Sequence, residues 1–321
     1  MQRRNVLIAL AATAAAACRP AFAQDSKAPI RIVVGLAAGG TLDLVGRVLA
    51  DKLRVSLGRP VVVENKLGAG QRVAMNEVRR AAPDGRTIFV GTTSPLTTYP
   101  HIYTKLDYDP VKDFTPIARV AQFDTAIATG PATNARDMKE LIAWLRANKN
   151  AASYATPGAG TVPQFLGVAF GQAIGVDLTH VPYNGSTPAL TDIVAGRVPV
   201  LVTSLSDITE LHRAGKLRIL GVANDQRSPV VPDVPTLKEA GIPLSFPNTV
   251  AIYGPANIPP QIVRELNEAA VQAVNARDVR EKLAGYGIIT APSSPEQLAA
   301  IQAADLKLFG PLVKASGYVG Q

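Results

Sequence analysis

The stretch Ile30-Arg31-Ile32-Val33-Val34-Gly35-Leu36-Ala37-Ala38-Gly39-Gly40-Thr41-Leu42-Asp43 constrains the fold most, because a short apolar run meets a helical pattern through a glycine pair. From Leu42 the apolar residues recur at Val45, Val48, Leu49, Leu53 and Leu57, the three-and-four spacing of an amphipathic helix, and Gly58 follows where a C-terminal cap belongs. A strand, a tight loop and a helix start are therefore expected, with the helix beginning right after Gly40. The first amides of a helix have no intrahelical partners and sit at the positive end of its dipole, so such a loop can cradle an anionic oxygen.

The alternation continues. Val61–Glu64 reads as a second strand, Arg72–Ala82 as a second helix and Thr87–Val90 as a third strand, reached through the turn Pro83-Asp84-Gly85. A βαβαβ run implies a parallel sheet with right-handed crossovers, whose ligands sit outside the carboxyl ends of the strands. Pro100–Asp113 has no clear period and reads as a loop, and Ile117–Ala128 as one long extended stretch. A second α/β unit then starts: helices over Met138–Ala147, Val162–Ile174, Pro188–Ala195 and Ile208–Ala214 alternate with strands over Ala152–Ala155, Leu178–Val181, Pro199–Thr203 and Leu217–Ala223. After a short helix around Leu237 and a strand at Thr249–Tyr253, the chain from Pro259 reads as helical to its end. A terminal block of helices with one strand is no domain of its own, so it should return to cover the first sheet. The expected organisation is α/β: residues 24–124 with 250–321 as one domain and 125–249 as the other, with crossings near Asp124 and Thr249 forming a hinge around a cleft.

Residues 1–23 read as an export signal. Arg3 and Arg4 are basic, Val6–Ala17 is apolar, and Ala21-Phe22-Ala23 has the small-x-small cleavage pattern. The paired arginines leave both Sec and twin-arginine export open. The sole cysteine, Cys18, would leave with the signal, which suits an oxidising periplasm. Loss of Arg3, Arg4 and Arg19 lowers the formal +8 by three charges, and the remaining lysines and arginines are scattered among acids, which argues against a nucleic-acid partner.

The second unit has its own version of the opening loop, Ala155-Thr156-Pro157-Gly158-Ala159-Gly160-Thr161, again between strand and helix, with Thr161 in the helix N-cap position. A facing pair of such loops makes an anion clamp. Hydroxyls concentrate at the same edges, at Thr92, Thr93, Ser94, Thr97 and Thr98 and at Thr203, Ser204 and Ser206. Hydroxyls and amides hold a carboxylate without a salt bridge. The candidate ligand-binding set is Ala38, Gly39, Gly40, Thr41, Thr92, Thr93, Ser94, Thr156, Gly158, Gly160, Thr161, Tyr183, Ser204 and Asp207. Catalytic sets are poorly supported. His101, His180 and His212 have no metal-ligand spacing, no Gly-x-Ser-x-Gly elbow occurs, and neither glycine loop carries a Walker lysine or a full dinucleotide fingerprint. No cofactor and no catalytic residue is expected. Asp43 and Asp192 lie near helix starts, where acids are favoured for structural reasons.

The chain resembles the periplasmic solute receptors of tripartite tricarboxylate transporters, the Bug receptors. The likeness is carried by Pro29–Val34 leading into Gly39–Asp43, Val62–Asn65 followed by Gly68-Ala69-Gly70, Ala82–Gly85, Tyr183-Asn184-Gly185, Gly196-Arg197-Val198, Ala214–Arg218, Val234-Pro235-Thr236 and Gly254-Pro255-Ala256, in order along essentially the whole mature chain. It implies a type II periplasmic-binding-protein fold whose two domains close on a small carboxylate-bearing anion, with Gly39, Gly40 and Thr41 on one side and Gly158, Gly160 and Thr161 on the other. It also implies membrane transporter subunits as partners. The chain departs from the family at Gly35-Leu36-Ala37-Ala38, where relatives usually show Pro-Phe and a further proline, and at Lys66-Leu67 in place of Arg-Pro. The expected protein is a monomeric receptor without catalysis. A periplasmic sensor is the alternative, and an exported enzyme the weaker third reading.

Overall fold

The computed structural model describes residues 28–36, 38–183 and 186–320. The expected signal, Ala37, Asn184 and Gly185 lie outside them. Strand β1 (Ile30–Val34) is followed by helix α1 (Thr41–Ser56), β2 (Val61–Asn65), α2 (Arg72–Arg79), β3 (Thr87–Thr92) and the short helices α3 (Ser94–Thr97) and α4 (Tyr99–Ile102). Next come β4 (Phe114–Phe123), β5 (Thr125–Thr129), α5 (Met138–Ala147), β6 (Ser153–Thr156), α6 (Val162–Ile174), β7 (Thr179–Pro182), α7 (Ser186–Val194), β8 (Val200–Ser204), α8 (Leu205–Arg213) and β9 (Arg218–Val222). The chain ends with β10 (Asn248–Pro255), α9 (Pro260–Asn275), α10 (Arg277–Ala284), β11 (Ile288–Thr290) and α11 (Pro295–Ser316). Helix α1 buries Leu42, Val45, Val48, Leu49 and Leu53, the stripe its spacing predicts. At α11 a capping box fixes the start: the Ser294 hydroxyl accepts from Gln297 N while the Gln297 side chain accepts from Ser294 N.

The strands form two sheets, six-stranded β11-β4-β10-β3-β1-β2 and five-stranded β7-β6-β8-β5-β9. They repeat one plan. In the first, β1 lies parallel between β2 and β3; in the second, β6 lies parallel between β7 and β8. Beyond β3 and β8 the next strand is antiparallel, and each is a strand that has just crossed from the other half, β10 against β3 and β5 against β8. One crossing is Asp124, between β4 and β5, and the other leads from Phe246, whose N–H donates to Ala223 O, to Asn248, which pairs with Phe123.

Core residues flank both sheets. One face of the first sheet packs against α1 and α9, and the other buries Met75, Phe89, Tyr253 and Leu298. On the second sheet, α7 and α8 cover one face; on the other, α5 and α6 are joined by Phe309, Leu312 and Val313 of α11 and by Tyr99 and Ile102 of α4. Helix α11 is therefore a strut with its early residues on the first sheet and its late ones in the core of the second.

Four local expectations are corrected. Ile117–Ala128 is not one extended stretch but the ends of two strands in different sheets, broken at Asp124, whose backbone and carboxylate are held by Leu205 N and Asn224 Nδ2. The C-terminal block is not all helix, because Ile288–Thr290 adds an edge strand to β4. Tyr99–Ile102 is helical and extends into the expected Pro100–Asp113 loop, and the segment around Leu237 is a turn whose N–H donates to Val222 O rather than a helix. Among the described residues no helix is long and apolar enough to cross a membrane.

Candidate functional site

The expected site residues follow the carboxyl ends of β1, β3, β6, β7 and β8, the edge of each sheet's parallel part. Both edges meet the crossings. Thr92 pairs with Val250 and Thr93 N donates to Thr249 O, while Ser204 pairs with Thr125 and Leu205 N donates to Asp124 O. Asn248 Nδ2 then ties the second crossing to Thr125 Oγ1 of the first at 2.5 Å. The loops after β3 and β8 thus flank the paired crossings, with the glycine loops after β1 and β6 one strand further out.

In the opening loop Ala38, Gly39 and Gly40 are exposed and Thr41 starts α1. Gly39 adopts φ +84°, which glycine reaches without strain, and among the described residues nothing lies within 4 Å of where its Cβ would stand. Its N–H is not free: it donates to Asp43 Oδ2 at 2.9 Å, and Arg47 Nε donates to the same oxygen at 2.8 Å. Asn65 Nδ2, at the end of β2, bonds Asp43 Oδ1 at 3.0 Å and Leu36 O at 2.9 Å. Arg47, with Gly39 and Asn65, holds the Asp43 carboxyl down to a pKa of about 2, well below its usual range. Asp43 is therefore more than a favourable first-turn acid. It is the post that fixes the loop.

In the second loop, Thr156 Oγ1 donates to Gly158 O at 3.0 Å and lies 2.7 Å from His180 Nε2; Thr161 Oγ1 also donates to Gly158 O, at 2.8 Å. Thr161 occupies the N-cap position of α6, but its hydroxyl makes no capping bond. It closes the loop instead. Gly160 has φ +73° and its N–H donates to Gln164 Oε1 at 2.6 Å. A Cβ there would stand 3.2 Å from Tyr318 and 3.6 Å from Ile102, so this loop abuts residues of the first half.

The remaining candidates divide. Thr92 Oγ1 accepts from Gln71 Nε2 at 2.7 Å. Thr93 is buried and serves the α3 turn through its carbonyl, which accepts from Leu96 N and from the N–H and hydroxyl of Thr97, while Ser94 O accepts from the N–H and hydroxyl of Thr98. Tyr183 is anchored by its N–H to Thr156 O, and its hydroxyl donates to Asp192 at 2.7 Å; burial and that carboxylate push its pKa to about 12. Ser204 begins α8 without a side-chain cap, and Asp207 accepts from Ser186 Oγ at 2.6 Å and Thr203 Oγ1 at 3.1 Å, pinning the starts of α7 and α8 together. Asn65 and Gln71, which bound the loop between β2 and α2, are absent from the expected set. Their distinguishing contacts, to Asp43 and Thr92, join residues 22 and 21 positions apart.

Because the Thr156 hydroxyl has one proton and gives it to Gly158 O, His180 must donate from Nε2, which fixes the neutral tautomer. Burial lowers the His180 pKa to about 4, and its ring stacks on Tyr154 at 4.9 Å. The unfolded chain therefore binds a proton that the folded chain refuses between pH 6.5 and 4, so stability is full above pH 6.5 and falls as pH drops through that window. The melting temperature should fall over this range, and His180→Gln, a neutral donor, should flatten the fall; an unchanged slope would assign it to other groups.

The profile of the tripartite tricarboxylate transporter family receptor matches residues 45–318. The chain belongs to that receptor family. The UPF0065 protein in the gbd 5′ region of Cupriavidus necator is 33% identical to the receptor over 326 residues, covering 99% of this chain and 98% of that one. The structure of Rpa4515 from R. palustris with adipate superposes with a TM-score of 0.80 at 27% identity, covering 91% of this chain and 98% of that one. MatC from Rhodopseudomonas palustris, with bound malate, gives 0.75 at 31% identity over 89% and 98%. The fold is that of the family's periplasmic binding proteins, two α/β sheets with helices on their faces, and the family is one of solute-binding receptors.

Proposed function

We propose that the receptor captures a small carboxylate-bearing anion between two lobes, residues 24–124 with 250–321 and residues 125–249, and delivers it to tripartite membrane transporter subunits. One observation carries this reading. Two sheets of the same plan present strand-end loops of glycine amides and hydroxyls on either side of a double crossing. Closure about the crossings brings the lobes together on the ligand, whose contacts favour the closed state. Amides and hydroxyls bind an acid through several modest bonds rather than an ion pair, which suits capture followed by release. The adipate of one related structure and the malate of another support a small dicarboxylic acid as the ligand. Export through residues 1–23, a periplasmic location, a monomeric state and the lack of turnover belong to the same reading.

Thermal-shift titration of the mature protein with mono-, di- and tricarboxylates tests it, because a ligand that binds only the folded state raises the melting temperature saturably. No stabilisation by any small acid would remove the reading, and conversion of the stabilising acid would favour an enzyme. Gly40→Val, crowding the exposed start of α1, and Thr161→Val, losing the bond to Gly158 O, should each weaken binding by ~1–3 kcal/mol. Calorimetric affinities unchanged in both variants would move the pocket elsewhere.

A further inference from the structure

Behind the second glycine loop lies a cavity of about 410 Å³ that the facing-loop clamp leaves unused. Tyr154 and His180, paired across β6 and β7, line it together with α6 and the end of α11 at Ala315. Its volume falls in the range of small-molecule sites. Gln164 also lines it, and both Gln164 and His180 hold the loop from behind. Gln164 Oε1 accepts from Gly160 N at 2.6 Å, and His180 Nε2 donates to Thr156 Oγ1 at 2.7 Å. Each residue therefore has one polar atom over. Gln164 is only 3% exposed, yet its Nε2 makes no hydrogen bond among the described residues. The ring proton of His180 is on Nε2, so Nδ1 is a bare acceptor, likewise without a partner among them. An unpaired polar atom in a buried side chain is costly, and the cavity that both residues line is where these two atoms can find partners.

The charge of the lining narrows the partner. Asp177 is the only charged side chain among the described lining residues, and neither lysine nor arginine is present there. Burial holds the His180 pKa to about 4, so its ring is neutral at pH 7. A carboxylate and an imidazole lone pair suit a cation, and an amide N–H suits an oxygen.

We propose that this cavity is a second ligand site, for a compact ammonium that also carries a neutral oxygen. The ammonium donates to Asp177 and to His180 Nδ1, and the oxygen accepts from Gln164 Nε2. The amine behind the loop and the acid in front of it then act on one loop through Gly160 and Thr156, so each alters the other's affinity by the same factor. The site stands without the receptor reading, and the coupling rests on it.

The probe is ethanolamine, titrated at pH 7 into the protein labelled with nitrogen-15. The amide signals of Gly167, Gly171 and Gly175, which line the cavity from α6 and its C-terminal cap, should shift saturably. Propylammonium, which lacks the oxygen, should bind about threefold or more weaker, and Asp177→Asn should weaken ethanolamine by about tenfold, the range of hydrogen bonds to neutral and to charged groups. Ala315→Leu, a change at an exposed position of α11 that lines the cavity, should block ethanolamine while the fold persists. Shifts that do not saturate, or that survive both substitutions, would mean that the cavity holds only water, and the inference falls. With the best-stabilising acid at saturation, the ethanolamine affinity should change by about fivefold or more. Equal affinities with and without the acid would remove the coupling. Should no acid bind, the receptor reading falls, and the ethanolamine titration still decides the site.

Discussion

Phe309→Ala is expected to lower the unfolding free energy by ~3–5 kcal/mol, the usual cost of emptying a buried phenylalanine site. Phe309 is 5% exposed and meets Phe165 edge-on at 6.0 Å and Phe246 at 5.9 Å, so its ring joins α11, α6 and the segment leading to the second crossing. Aromatic pairs of this geometry add about 0.5–1.5 kcal/mol beyond area alone. The loss should also have a distinctive form. Earlier on α11, Leu298 is buried in the first-sheet core and Gln302 Nε2 donates to Pro110 O, so truncating the far end of the helix cuts the tie between halves while leaving its near end docked. Urea unfolding should show a lower midpoint and a shallower or two-phase transition. Leu308→Ala, on the same helix but exposed, should change stability by less than about 0.5 kcal/mol. Equal effects from the two would deny α11 its role as a strut.

Asp43→Ala should cost ~2–4 kcal/mol, because one carboxylate gathers Gly39 N, Arg47 Nε and Asn65 Nδ2, and bonds to a charged group are worth more than neutral ones. The estimate stays below the full cost of breaking a buried pair because Arg47 is half exposed and can turn to water. Without its post the loop after β1 loses its shape, so ligand affinity should drop together with stability. Acid sensitivity gives a second readout. The folded pKa of about 2 lies below the ordinary 3.8, so this contribution is present above pH 3.8 and is lost as pH falls through 2. Asp43→Asn should remove that segment of the acid unfolding curve and leave the His180 segment at higher pH in place. A curve of unchanged shape would mean that Asp43 does not carry the difference.

Much of the local structure was legible. The spacing from Leu42 to Leu57 foretold α1, and the expected bounds of α5 and α6 coincide with those observed, because each helix has an apolar stripe and a readable start, an Asp137 cap for one and a Thr161-Val162-Pro163 entry for the other. The two glycine loops were visible because left-handed turns at strand ends favour glycine. Thr161 shows the limit of such reading: its position was right and its bond was not, since a hydroxyl chooses among nearby acceptors by geometry that no spacing records. Asp124 lies between β4 and β5, near the crossing expected there, but the bonds that hold it, from Leu205 N and Asn224 Nδ2, come from residues 81 and 100 positions away that no spacing links to it.

The edge strand Ile288–Thr290 and the helix Tyr99–Ile102 are not legible in the sequence alone, but most strands and helices, the loops rich in amides and hydroxyls, and the family to which the chain belongs are. These are properties of neighbouring residues, where period, caps and turn chemistry act over a few positions. Assembly of the sheets alone sets the order of strands, the antiparallel seats of β10 beside β3 and β5 beside β8, the reach of α11 into both cores, the role of Asp43 as the loop's post and the strained Gln71, held at φ 76° across the ends of β1 and β3. Each of these joins residues far apart in the chain, and such contacts form only when the sheets have assembled and buried polar groups must find partners wherever the fold has brought them.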